Sequence, residues 1–155
     1  MPDRREFLCD SALVACAAAL GVAPSGLLGL PVRLAGALGI VGSEASYPIP
    51  PQDAVTIDRD HEAILVRYQS RVYVFALSCP HQRTPLRWEE EEHRFRCPKH
   101  KSTFEPNGAF VSGRATRNMD RYAVRRDGSN VIADLSALFQ EDKDAEHWGQ
   151  AFIQL

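Results

Sequence analysis

Two short segments of the chain carry a thiol and an imidazole each: Cys79-Pro80-His81 and, after fifteen intervening residues, Cys97-Pro98-Lys99-His100. Thiolate and neutral imidazole are ligands for soft and borderline transition metals, and two of each complete a four-ligand set. The first pair is separated by a single residue, whereas structural zinc sites generally leave two to four between ligands. Zinc and a Cys79 to Cys97 disulfide are the competing readings, and the disulfide leaves both neighbouring histidines unexplained. His61, His93 and His147 have no ligand-like spacing and default to solvated positions.

Such pairs meet when loops at neighbouring strand ends carry them, and the surrounding residues are strand-like. Ala54–Asp58, Ala63–Tyr68 and Arg71–Leu77 are short β-branched and aromatic runs separated by polar turn residues such as Gln69-Ser70. Arg94-Phe95-Arg96 alternates just before Cys97, Phe104 leads to a turn at Pro106-Asn107-Gly108, and Tyr122–Arg125 precedes a turn at Asp127-Gly128 before Val131-Ile132-Ala133. The expectation is an all-β, antiparallel small sandwich or barrel over residues 54–135. Residues 38–53, with Pro48, Pro50 and Pro51, read as a stiffened linker. The stretch 136–155 reads as a tail that forms either a short helix or an arm on a partner. Glu89–Glu92 reads as a solvated hairpin tip, because desolvating four carboxylates needs compensating cations.

The pattern C-x-H, fifteen residues, C-x-x-H resembles the Rieske family, whose domain holds a [2Fe-2S] cluster with two cysteines on one iron and two histidines on the other. The likeness extends over about Ala54 to Leu135, with a proline after each cysteine, Pro85-Leu86 closing the first segment and Ser102 two residues after the second histidine. It implies that Cys79 and Cys97 hold the ferric iron, that His81 and His100 hold the iron that is reduced, and that the Ser102 hydroxyl bonds a bridging sulfide. Rieske proteins of the cytochrome bc type add a disulfide between the loops; Thr84 and Lys99 stand at those positions here. They also carry a tyrosine whose hydroxyl bonds a ligand sulfur, and that position is Phe104. Losing a donor lowers the potential, while Arg83, Lys99 and Lys101 raise it, so an intermediate potential is expected. Lys101 also replaces the glycine usual after the second histidine.

The N-terminus differs from the rest. Arg4-Arg5 followed by Phe7-Leu8, and 22 uncharged residues from Ser11 to Val32, resemble a twin-arginine export signal. Ala35-Gly36-Ala37 offers a cleavage site that leaves a chain starting near Leu38. The same 22 residues also meet the length of an uncleaved membrane anchor, although Pro24, Pro31 and the Ala/Gly content weaken that reading. Leu13-Val14-Ala15-Cys16 as a lipoprotein box has too short an apolar run before it. Cys9 and Cys16 belong to this segment and do no chemistry. The expected location is the periplasm or the extracytoplasmic face of the membrane, and twin-arginine export suits a protein that takes up its cluster before transport.

With 155 residues, 18 Lys+Arg against 20 Asp+Glu and a net charge of −2, the chain lacks the basic excess of a nucleic-acid binder. Length leaves no room for an oxygenase iron domain, and the export signal disfavours a soluble oxygenase ferredoxin. Among exported Rieske proteins, Ser102-Thr103-Phe104 and Gly113–Asn118 through Tyr122 look most like the small subunit of arsenite oxidase. That likeness implies an electron-transfer subunit that has no substrate site, accepts electrons from a large molybdopterin subunit and passes them to a cytochrome or similar acceptor. The runner-up is the quinol-oxidising Rieske subunit of a cytochrome bc or b6f complex.

Overall fold

The computed structural model describes residues 43–155. The export signal, the anchor, the lipoprotein box, the cleavage site, Cys9 and Cys16 lie outside the described residues. Among the described residues no helix is long and apolar enough to cross a membrane.

The expected β-rich domain is present as two antiparallel sheets. The larger runs in the order β1 (Glu44–Pro48), β10 (Asn130–Phe139), β9 (Arg121–Asp127), β4 (Arg71–Ala76), β3 (Ala63–Tyr68), β2 (Ala54–Asp58), and β11 (Ile153–Gln154) pairs on β4. The smaller runs β5 (Arg87–Glu89), β6 (Arg94–Arg96), β7 (Thr103–Phe104), β8 (Phe110–Ser112). Gln69 and Ser70, at φ 51° and 62°, make the two-residue turn between β3 and β4, whose backbone twist suits a tight hairpin.

Strands β3 and β4 are buried on both faces, which explains their unbroken apolar run. Ile64, Val66, Tyr73 and Phe75 face one way, into a core shared with Leu86, Phe95, Phe104 and Met119 that ends at Cys79 and Cys97. Leu65, Val72 and Val74 face the other way, onto Ala45, Tyr122, Val131 and Ala133. The two cysteines therefore form the end of a dry core.

Two expectations are corrected. Within the presumed linker 38–53, residues 44–48 are a sheet strand, because Ala45 and Tyr47 alternate inward and pair with Ala133 and Val131 of β10. In the C-terminal stretch 136–155 the short helix is present, as α1 over Ala145–Gln150, but the stretch is not a tail: β10 continues to Phe139 and β11 returns to β4. What holds this return is Arg121. Its guanidinium lies 3.7 Å from the Trp148 ring centroid and 4.8 Å from that of Tyr73, and donates to the carbonyls of Trp148 and Asn107 at 2.9 Å each. Burial lowers its pKa to about 10, which leaves it charged at neutral pH. The Trp148 indole N–H donates in turn to the Met119 carbonyl at 2.9 Å. Trp148→Ala removes the stack and the indole bond together, and is expected to lower unfolding free energy by about 2 kcal/mol in urea titration. A loss within the error of the wild-type value would mean that the C-terminal return contributes nothing to the fold.

Candidate metal centre

The two Cys/His segments fold into the same six-residue loop. Cys79 N–H donates to the Thr84 carbonyl at 2.9 Å and Arg83 N–H donates back to the Cys79 carbonyl at 2.9 Å. In the second loop Cys97 N–H donates to the Ser102 carbonyl at 2.8 Å and Lys101 N–H to the Cys97 carbonyl at 3.0 Å. The fifth residue of each, Arg83 and Lys101, takes a left-handed backbone at φ 51° and 57°. Such a conformation costs a side-chain-bearing residue about 1–2 kcal/mol and glycine almost nothing. The first loop is closed by a bridge between Ser78 and Pro85, the second by the pairing of Arg96 with Thr103.

Hairpin β5–β6 brings the loops side by side. It leaves the first loop, turns at Glu90–His93 and returns to the second, with Arg87 opposite Arg96. The acidic tip thus lies at the far end of the hairpin from both cysteines, exposed as expected. His61, His93 and His147 are exposed as well.

Two kinds of donor result, at two depths. Cys79 and Cys97 are free thiols, each only 1% exposed, at the end of the same core. Burial raises the Cys79 pKa; the backbone N–H of His81 opposes this, and the Cys97 thiol adds to it. Nearer the surface, the Nδ1 atoms of His81 and His100 are 3.1 Å apart, with both rings half-buried. Partial desolvation, reinforced by His81, Arg114 and Lys99, holds His100 below the ordinary histidine range and favours the neutral form that ligates metals. Among the described residues no three His, Cys, Asp or Glu side chains are arranged around a single ion. Two thiols on one side and two imidazole nitrogens on the other instead fit two irons with two ligands each, and the cluster's sulfides would supply the rest.

A third loop closes over the second. Ser102, fully buried, accepts the N–H groups of Arg114 and Ala115 at 3.0 Å each, so its hydroxyl proton is free to be donated elsewhere. The approach requires Gly113: at φ 109°, a Cβ built there would stand 2.3 Å from Ser102 Cα. Arg117 and Asp120 pin the far end of this loop with an ion pair at 2.8 Å. Phe104 is buried in the core beside the cysteines, its ring edge-on to Phe110.

The model of the Rieske [2Fe-2S] domain matches residues 40–123, more than half of the chain. The chain belongs to the Rieske family. A Rieske domain implies a [2Fe-2S] cluster and an electron-transfer role, as expected from the sequence. Solved structures similar to this chain include the plasma membrane Rieske protein PetC3 of the cyanobacterium Synechocystis PCC 6803, at 20% identity over 52% of this chain and 84% of that one, TM-score 0.43. The ferredoxin of carbazole 1,9a-dioxygenase from Nocardioides aromaticivorans IC177 shares 21% identity over 56% of this chain and 86% of that one, TM-score 0.38. A chain of a hyperthermophilic respiratory Complex III shares 20% over 81% and 94%, TM-score 0.45. No curated protein matches the chain significantly.

All five residues singled out in the sequence, Cys79, His81, Cys97, His100 and Ser102, converge in this Rieske domain. Two others have backbone roles that the sequence does not show, Arg83 figuring there only as a cation that raises the potential. Arg83 is the counterpart of Lys101, and the signal was its offset of four from its cysteine, the same as that of Lys101 from Cys97. Gly113 was noted only as part of a motif, and its role is visible only once the third loop lies on Ser102. Gly113→Ala is expected to dislodge the Ser102 bonds and lower unfolding free energy by about 3 kcal/mol, measured by thermal unfolding. Lys101→Gly relieves the left-handed strain and is expected to raise stability by up to about 1 kcal/mol; a destabilised variant would show that the loop stores no strain there.

Proposed function

We propose that Cys79 and Cys97 ligate one iron and His81 and His100 the other, with the Ser102 hydroxyl donating to a cluster sulfide. The observation that carries this reading is the division of donors by depth, two buried thiols behind two half-buried imidazoles. When bound, the cluster stores one electron, at a potential raised by imidazole ligation into a range of roughly −150 to +300 mV. The chain's residues do the rest. Leu86, Phe95 and Phe104 keep water from the thiols, the half-buried imidazole edges give the electron its route to a partner, and the backbone of the third loop holds Ser102 in place.

We further infer that the protein is an exported electron-transfer subunit, resembling the small subunit of arsenite oxidase, that receives electrons from a large molybdopterin subunit and hands them to a cytochrome-type acceptor. The pattern Ser102-Thr103-Phe104 with Gly113–Asn118 supports it, as does the twin-arginine sequence around Arg4-Arg5. Thr84 and Lys99 in place of a cysteine pair speak against a quinol-oxidising subunit. Co-purification of a molybdopterin-containing protein with the native chain tests this assignment; recovery with a cytochrome b instead overturns it.

His81→Ala and His100→Ala are each expected to abolish the cluster, read as loss of visible colour and of the EPR signal with nitrogen coupling from two imidazoles. A colourless wild-type protein containing zinc would end the iron–sulfur ligand assignment. Phe104→Tyr is expected to raise the midpoint potential of the loaded protein, and the wild-type midpoint is expected above about −100 mV in redox-titrated EPR.

A further inference from the structure

The face that carries the two imidazoles is strongly cationic in a chain whose net charge is −2. Residues 79–84 and 97–102 contain Arg83, Lys99 and Lys101 and no acid, and the loop closing on Ser102 adds Arg114. All four are exposed, and among the described residues none of them belongs to an ion pair. On one flank the cationic surface continues into a groove of about 270 Å³ lined by Arg59, Arg87, Pro98 and the Thr84–Leu86 segment, again without an acid. The acids that share a cleft with Cys79 and Arg83 are Glu62 and Asp120, and Asp120 is paired with Arg117.

Two of these cations stand where the backbone disfavours any side chain. Arg83 and Lys101 occupy the equivalent left-handed positions of the two loops, one beyond each histidine segment, where glycine would relieve strain. Both loops thus retain a long basic side chain against a local conformational cost. Because the rest of the molecule is acidic by difference, the charges form a dipole whose positive end is the imidazole face. Charge arranged in this way speeds and orients encounter with an oppositely charged surface.

We propose that Arg83, Lys99, Lys101 and Arg114 form the docking surface for an acidic redox protein, which the dipole steers onto His81 and His100. This inference rests on the ligand assignment above. An anionic membrane shares the charge, but the cations stand around two half-buried imidazole edges, the electron's route out, which suits a redox protein; vesicle binding tests the alternative.

The test uses the cluster-loaded protein, with its visible spectrum recorded first; absence of the cluster would defeat the ligand assignment, whereas the following outcomes concern only the docking surface. Oxidation of the reduced protein by ferricyanide is followed by stopped flow as ionic strength rises. Net charge alone makes two anions repel and the rate climb with salt; a governing cationic face makes it fall. We expect it to fall, and the double variant Lys99→Glu/Lys101→Glu to be about tenfold slower at low salt with the slope inverted. Arg126→Glu, at the exposed β9–β10 turn, should keep the wild-type slope. In an equilibrium measurement, fluorescein-labelled polyglutamate should bind the wild type and Arg126→Glu at low ionic strength, and the double variant much less. If the double variant does not load its cluster, Lys99→Glu alone serves. A rate that climbs with salt in the wild type, polyglutamate binding unaffected by Lys99→Glu/Lys101→Glu, or tighter retention on phosphatidylglycerol vesicles than on polyglutamate would overturn the proposal.

Discussion

The pairing of Arg87 with Arg96 across the β5–β6 hairpin sets where both cysteines go. It places the end of one Cys/His loop beside the start of the other, although the cysteines are eighteen positions apart in the chain. A slip of one residue would turn Phe95 out of the core and move Cys97 away from Cys79. The register is held because Phe95 is wholly buried between Trp88 and Phe75, with ring centroids 4.8 and 6.4 Å away. Aromatic packing thus positions the sulfurs, and the loop backbones add the final orientation.

Within that frame the two loops share a backbone and differ in where the histidine sits. His81 is two residues beyond its cysteine and His100 three, yet each cysteine N–H bonds the carbonyl five residues on and each fifth residue is left-handed. Two copies of one turn therefore face each other and bring Nδ1 to Nδ1 at 3.1 Å. The arrangement also explains why the second loop needs a cover and the first does not use the same one. Ser102 ends the second loop as a buried hydroxyl, and only a glycine at 113 lets the third loop come near enough to supply its two amides.

The Arg121 stack ties this end of the molecule to its C-terminus. A guanidinium between Trp148 and Tyr73 keeps its charge because the stem and faces are covered by rings while two of its nitrogens reach carbonyls. One of those carbonyls belongs to Asn107, next to Gly108, whose hydrogen faces the Phe75 ring where a Cβ would stand 2.5 Å away. The C-terminal return, the β7–β8 turn and the core under the cysteines are thus one packed unit.

The paired Cys/His segments, the family and most strands were legible in the sequence for a local reason. Each cysteine has its histidine two or three residues further on, and the apolar runs Ala54–Asp58 and Ala63–Tyr68 have strand bounds that reappear unchanged as β2 and β3. The role of β1 was hidden by Pro48, Pro50 and Pro51, whose stiffness reads as a linker, while its pairing partner lies more than eighty residues away in β10. The C-terminal return was hidden because Arg121 and Trp148 carry no signal of their partnership until the chain is folded. Sequence alone therefore determined the family and the donor types, since residue type and spacing are properties of short segments. Tertiary structure alone decided which carbonyl, glycine and cation stand around that chemistry, because those contacts join residues whose proximity is created only by the packing of the sheets.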